Sequence, residues 1–174
     1  RPLDFYGVTD HGTFLGQVAE AATPGTPYYE APSSEQVNDI NSPENLNIST
    51  IPRRTQAFGG FLANTVAAFR ERKLDIGYAD SVSRRAWADT VAAAQRHNDP
   101  GKFTTFIGYE YTASTADMGN LHRNVVFKGN GNRIPSVPYS RANSNDPAGL
   151  WQWLDRLRRD GIRSLAIPHN SNGC

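Results

Sequence analysis

Three of the four histidines in this 174-residue chain sit where an apolar, strand-like run meets a polar loop. His11 lies in VTDHG, His122 in NLHRN and His169 in IPHNSN. A fourth junction of the same kind, IGYEY, carries Glu110. Imidazole and carboxylate donors suit zinc, manganese or iron, ions that generate hydroxide from bound water near neutral pH. No local pattern such as HExxH unites these residues, so each would have to arrive from a separate strand end. Strand ends are where barrel-like α/β proteins gather such groups. Their shared placement makes His11, Glu110, His122 and His169 one candidate set of metal ligands.

Neighbouring polar residues extend the set. Asp10 reads as a ligand, as a carboxylate that orients His11, or as a turn aspartate capping its own loop. Asp10 and Glu110 are the candidate catalytic carboxylates. Asn170 and Asn172 are candidates for binding polar groups of a substrate, with ordinary turn residues as the alternative. The Arg123 guanidinium could clamp a phosphate or carboxylate, although alternation along a strand points it away from His122. His97 falls at a helix C-terminus, where a cation is favoured by the helix dipole, and is read as structural. Neither a Gly-rich phosphate loop nor a nucleophile elbow is present.

The elements that must position these groups can be read from pattern. Leu3–Thr9 reads as a buried strand, with Asp10–Gly12 as the turn after it. The Pro-, Ser- and Asn-rich stretch Ala22–Arg54 has no sustained period. It is expected to be a long excursion with short helical pieces, such as one around Ser34–Ile40. A loop of that length is usually functional or poorly ordered. Thr55–Lys73 reads as a helix turning Phe58, Phe61, Leu62, Val66 and Phe69 inward. A second helix is expected from an N-cap at Ser81 to about His97, with Val82, Trp87, Val91 and Ala94 inward. Phe103–Tyr111 and His122–Lys128 read as strands. Only ten residues separate them, too few for a parallel crossover, so an antiparallel hairpin is expected to bring Glu110 beside His122. Asp146 and Pro147 open a helix that buries Leu150, Trp153, Leu154 and Leu157 and ends at Gly161. Arg163–Ile167 is the last strand. This order is α/β, and part of a barrel or layered sheet fits it.

Composition narrows the partners. The net charge of +1 gives no electrostatic case for nucleic acid or an anionic membrane. No apolar run approaches the ~20 residues of a membrane span. A single cysteine, Cys174, excludes an internal disulfide and a cysteine-rich zinc site. The chain opens at Arg1 directly before one strand-like run and stops just after another, and it is read as a piece of a longer protein.

The segments LDFYGVTDHGTFLG, PGKFTTFIGYEYTA, NLHRNVVF and LAIPHNSNG closely resemble successive segments of a bacterial family, domain of unknown function 3604. That family resembles the polymerase-and-histidinol-phosphatase (PHP) superfamily of metal-dependent phosphoesterases. The resemblance runs from Leu3 to Gly173. It implies a distorted (β/α) barrel with a metal cluster at the C-terminal ends of its strands. His11 matches the histidine of the TDH motif, Glu110 the acidic ligand that can bridge metals, and His122 and His169 the histidines of later strands. PHP proteins also carry an H-x-H motif on the first strand and a D-x-H motif near the end, and this chain has neither. The resemblance therefore implies a single incomplete domain over residues 1–174, inactive by itself, with partial or no metal occupancy and self-association through exposed sheet edges. The parent protein is expected to hydrolyse a small-molecule phosphate ester. A non-catalytic metal- or ligand-binding module, or a hydrolase of a non-phosphate bond, are the alternatives.

Overall fold

A computed structural model describes residues 3–115, 119–129, 131–144 and 146–168. The chain divides into two compact units, Arg1–Leu15 with Arg84–Cys174, and Gly16–Ser83. No helix among the described residues is long and apolar enough to cross a membrane.

The first unit is a mixed α/β structure built on an open sheet of four strands in the order β1-β2-β3-β4. These are β1 (Phe5–Val8), β2 (Thr104–Thr115), β3 (Gly119–Phe127) and β4 (Ser164–Pro168). β1 runs parallel to β2, while β2–β3 and β3–β4 are antiparallel. The expected hairpin is present, and its strands are longer than the apolar runs that announced them. His122 consequently sits within β3, opposite Thr112, and not at its first residue.

Alternation gives the sheet two different faces. Ile107, Tyr109, Tyr111, Ala113, Val125 and Phe127 point to one side, where they form the core with Trp87, Leu150, Leu154 and Leu157. Trp87 and Leu150 come from the two helices of this layer, α3 (Ile76–His97) and α4 (Pro147–Arg159), numbered with α1 and α2 below. α4 begins as expected: the Asp146 carboxylate accepts the Ala148 N–H at 2.8 Å. Gly161, at φ 80°, takes the left-handed conformation that follows its last turn. The opposite face carries Glu110, Thr112 and His122.

β1 corrects one expectation. All four of its residues are exposed, so the apolar run LDFYGV is an edge strand and not a buried one. Phe5, Val8, Phe106, Leu165 and Ile167 are likewise exposed.

The second unit holds α1 (Gln17–Ala21), three short 3₁₀ turns (Pro32–Val37, Pro43–Asn45 and Ile48–Thr50), α2 (Ile51–Arg70) and the first turns of α3. The supposed excursion is a packed part of this unit. Tyr28, Val37 and Ile40 join Ala21, Phe61, Ala79 and Val82 in its core. Irregular turns bury residues at irregular intervals, which is why no period marked them. α2 is buried along Phe61, Thr65 and Ala68, with Leu62 and Phe69 partly buried and Phe58 and Val66 exposed. α3 starts five residues before the expected cap. Asp75, not Ser81, accepts the Tyr78 N–H at 2.6 Å, and the Ser81 hydroxyl instead donates to the Tyr78 carbonyl. The Tyr78 side chain is fastened as well, its hydroxyl donating to the Glu20 carboxylate.

Candidate metal centre

Backbone register assembles the site. Val8 is the partner of Ile107 in the parallel ladder, and the same offset returns as a bridge between His11 and Glu110. Two hydrogen bonds fasten it: Glu110 N–H to the Asp10 carbonyl and Gly12 N–H to the Glu110 carbonyl, each 2.8 Å. Gly12 permits this approach, because a Cβ there would lie 2.9 Å from the Tyr109 ring. On the other side of Glu110, β3 brings in His122. Glu110 is opposite Asn124 and Thr112 is opposite His122, so Glu110 and His122 are diagonal neighbours on one face.

The side chains converge. One ligand atom each from His11, Glu110 and His122 lie within 4.8 Å of one another. His11 Nδ1 is 3.2 Å from Glu110 Oε1, and His122 Nδ1 is hydrogen-bonded to that same oxygen. The two imidazoles stand edge to face with ring centres 5.7 Å apart. The carboxylate and the His122 ring are buried and His11 is exposed, so the group opens to solvent on the His11 side.

Two residues unmarked in the sequence belong here. The Thr112 hydroxyl lies 2.6 Å from His11 Nδ1 and donates to Glu110 Oε1 at 3.1 Å. Asn124, opposite Glu110, has a buried side-chain oxygen without a hydrogen-bond partner among the described residues. Strand alternation could have flagged both, since each lies two residues from a candidate ligand.

The other sequence candidates divide. Asp10 is exposed, and it is its carbonyl that meets Glu110. Arg123 faces away from His122, as alternation predicts, and its guanidinium donates to the His122 carbonyl at 2.7 Å. His97 is the exposed last residue of α3 and is not part of the cluster. β4 ends with Pro168 opposite Arg123. His169, Asn170 and Asn172 lie outside the described residues.

Two imidazole nitrogens and one carboxylate form a donor set suited to borderline divalent ions. The same composition, two histidines and a glutamate, serves catalytic zinc sites that keep a coordination position open. The buried, unpartnered Asn124 oxygen adds a donor on the same sheet face. The residues present therefore fit a divalent cation.

Residues 1–174 match the family described as Protein of unknown function (DUF3604), and the chain belongs to that family. No curated protein and no solved structure matches it.

Proposed function

We propose that this family member is a metal-dependent hydrolase, and that its substrate is a phosphate ester. The observation that supports this reading is the convergence of His11, Glu110 and His122 from three separate segments onto one point. Bringing a carboxylate and a second histidine together with little exposure costs desolvation, and a bound cation would offset that cost. In this reading His11, Glu110 and His122 hold the ion, and His169, which follows Pro168 in the chain, completes the set. The ion would supply a nucleophilic hydroxide from water and neutralise charge developing on the phosphoryl oxygens. Asp10, the exposed neighbour of His11 in the chain, is assigned the role of accepting a proton from that water. Asn170 and Asn172 are assigned to substrate contact. Arg123 is assigned to it less directly, because its guanidinium already braces the backbone of β3.

The finer fold proposal is a PHP-like barrel. The sheet face that carries the site also carries Phe106, Leu165 and Ile167, all exposed. The interior of a barrel is where such a face would be buried.

The test is turnover by the full-length protein. Metal-dependent hydrolysis of p-nitrophenyl phosphate or bis(p-nitrophenyl) phosphate, lost on chelation and restored by Mn²⁺ or Zn²⁺, is the expected result. Tight metal binding without turnover would instead establish a non-catalytic binding module.

A further inference from the structure

We infer that Asn124 sets which ion the site prefers: its side-chain oxygen is a further donor, and it tilts the site from zinc toward manganese and harder divalent ions. This role rests on the cation proposed above at His11, Glu110 and His122.

The sheet fixes where Asn124 stands. Register joins four segments in one transverse row: His11 is bridged to Glu110, Glu110 is opposite Asn124, and Asn124 is opposite Ile167. Directly opposite residues of an antiparallel pair have Cβ atoms about 4.5–5.5 Å apart, closer than diagonal neighbours. His122 already meets the Glu110 carboxylate from the diagonal position. Asn124 faces Glu110 directly, two residues from His122 on the same face of β3.

Nothing in the fold takes up this oxygen. It is buried without a hydrogen-bond partner among the described residues. A buried acceptor left unpaired costs stability, whereas an apolar group of the same shape would not. Leucine has nearly that shape, and the cross-strand neighbour Ile167 is apolar. The amide is therefore held at the expense of the fold, and a cation shared with Glu110 and His122 is the partner that offsets it.

Donor chemistry then decides selectivity. Imidazole suits zinc, while carboxylate and carbonyl oxygens suit manganese and other hard ions. Zinc is satisfied by few ligands and accepts nitrogen readily. A neutral amide oxygen thus adds more to manganese binding than to zinc binding, without setting a second carboxylate charge beside Glu110.

The experiment uses the full-length protein and the metals alone. Mn²⁺ binding is read from loss of the free-ion paramagnetic resonance signal, Zn²⁺ binding by competition with a chelating dye, and stability from thermal melts in chelator. Asn124→Leu should melt at or above the wild type without metal. It should bind Mn²⁺ about tenfold more weakly or worse and lose less Zn²⁺ affinity, so that the ratio shifts toward zinc. Asn124→Asp, which keeps an oxygen there, should hold Mn²⁺ affinity at or above wild type. An Asn124→Leu protein that melts below the wild type in chelator would assign the amide to the fold. An unchanged Zn²⁺-to-Mn²⁺ ratio would leave the oxygen with solvent as its only partner. Either result overturns the inference while wild-type binding keeps the metal reading intact. A wild type that binds neither ion would sink the metal reading and the role of Asn124 with it.

Discussion

At the scale of single residues, the site concentrates its chemistry on Glu110, whose one carboxylate oxygen meets both histidines and Thr112. Glu110→Gln removes the charge with little change of shape. It should lower metal affinity by on the order of 100-fold, and His122→Ala should do the same. His97→Ala is the control, because that residue lies outside the cluster. Metal content after gel filtration separates these outcomes, and equal loss in all three variants would indicate a folding effect and not ligation. A second prediction concerns Tyr28, whose hydroxyl donates to Gln17 Oε1 at 2.8 Å inside the core of the second unit. Burial, with Tyr78, Glu20 and Asp80 nearby, pushes this phenol above its ordinary range. The unfolded chain ionises it near pH 10. Its stabilising contribution is thus whole below about pH 10 and is lost as pH rises beyond. Tyr28→Phe should cost about 1–3 kcal/mol near neutrality by stranding the glutamine oxygen. That difference from wild type should shrink in urea melts at pH 10.5.

At the scale of elements, the tightest constraint is the turn that carries His11 against β2. Gly12→Ala would press a methyl into the Tyr109 ring, which is buried in the aromatic core with Phe127 and Trp87 and has little room to yield. The turn should move instead, so metal affinity should fall while circular dichroism stays that of the wild type. An unchanged affinity would show that the His11 turn adapts. Asp146→Ala removes the α4 cap and should cost ~1 kcal/mol, read by urea denaturation, without touching metal binding. Elements announced by short-range chemistry were legible in the sequence. The Asp-Pro start and glycine end of α4 were one case. The ten-residue gap that forced an antiparallel pairing, and with it the meeting of Glu110 and His122, was another. The start of α3 was hidden because Gly77 and Tyr78 are not strong helix formers, and it is the Asp75 side chain, outside the apolar pattern, that caps the first turn. Thr112 was hidden for a different reason. Alternation places it on the Glu110 face, but its contact with His11 depends on the parallel register of β1, a pairing between residues about a hundred positions apart that no local pattern encodes.

At the scale of the whole molecule, the sheet presents unsatisfied surface. β1 and β4 are its two edges, and an open edge offers a row of unpaired backbone groups to another chain. The face between them holds Phe5, Phe106, Leu165 and Ile167, all exposed. A concavity of about 800 Å³ is lined in part by Phe106, Val126 and Leu165. Natural monomers rarely leave contiguous apolar patches of this kind uncovered. Two coverings are physically reasonable: further strands of a longer polypeptide closing a barrel, or a second copy of this chain. They predict different behaviour. The isolated 174-residue chain should self-associate, giving a concentration-dependent mass by light scattering after size exclusion. Phe106→Lys with Leu165→Lys should shift it toward monomer without changing circular dichroism, because both side chains already face solvent. If a longer polypeptide closes the barrel with further strands, it should be monodisperse at the same concentrations, and there the same two lysines should be buried and destabilising. A 174-residue chain that stays monomeric at high concentration would show that the apolar face is tolerated as it stands, and would remove this support for the barrel.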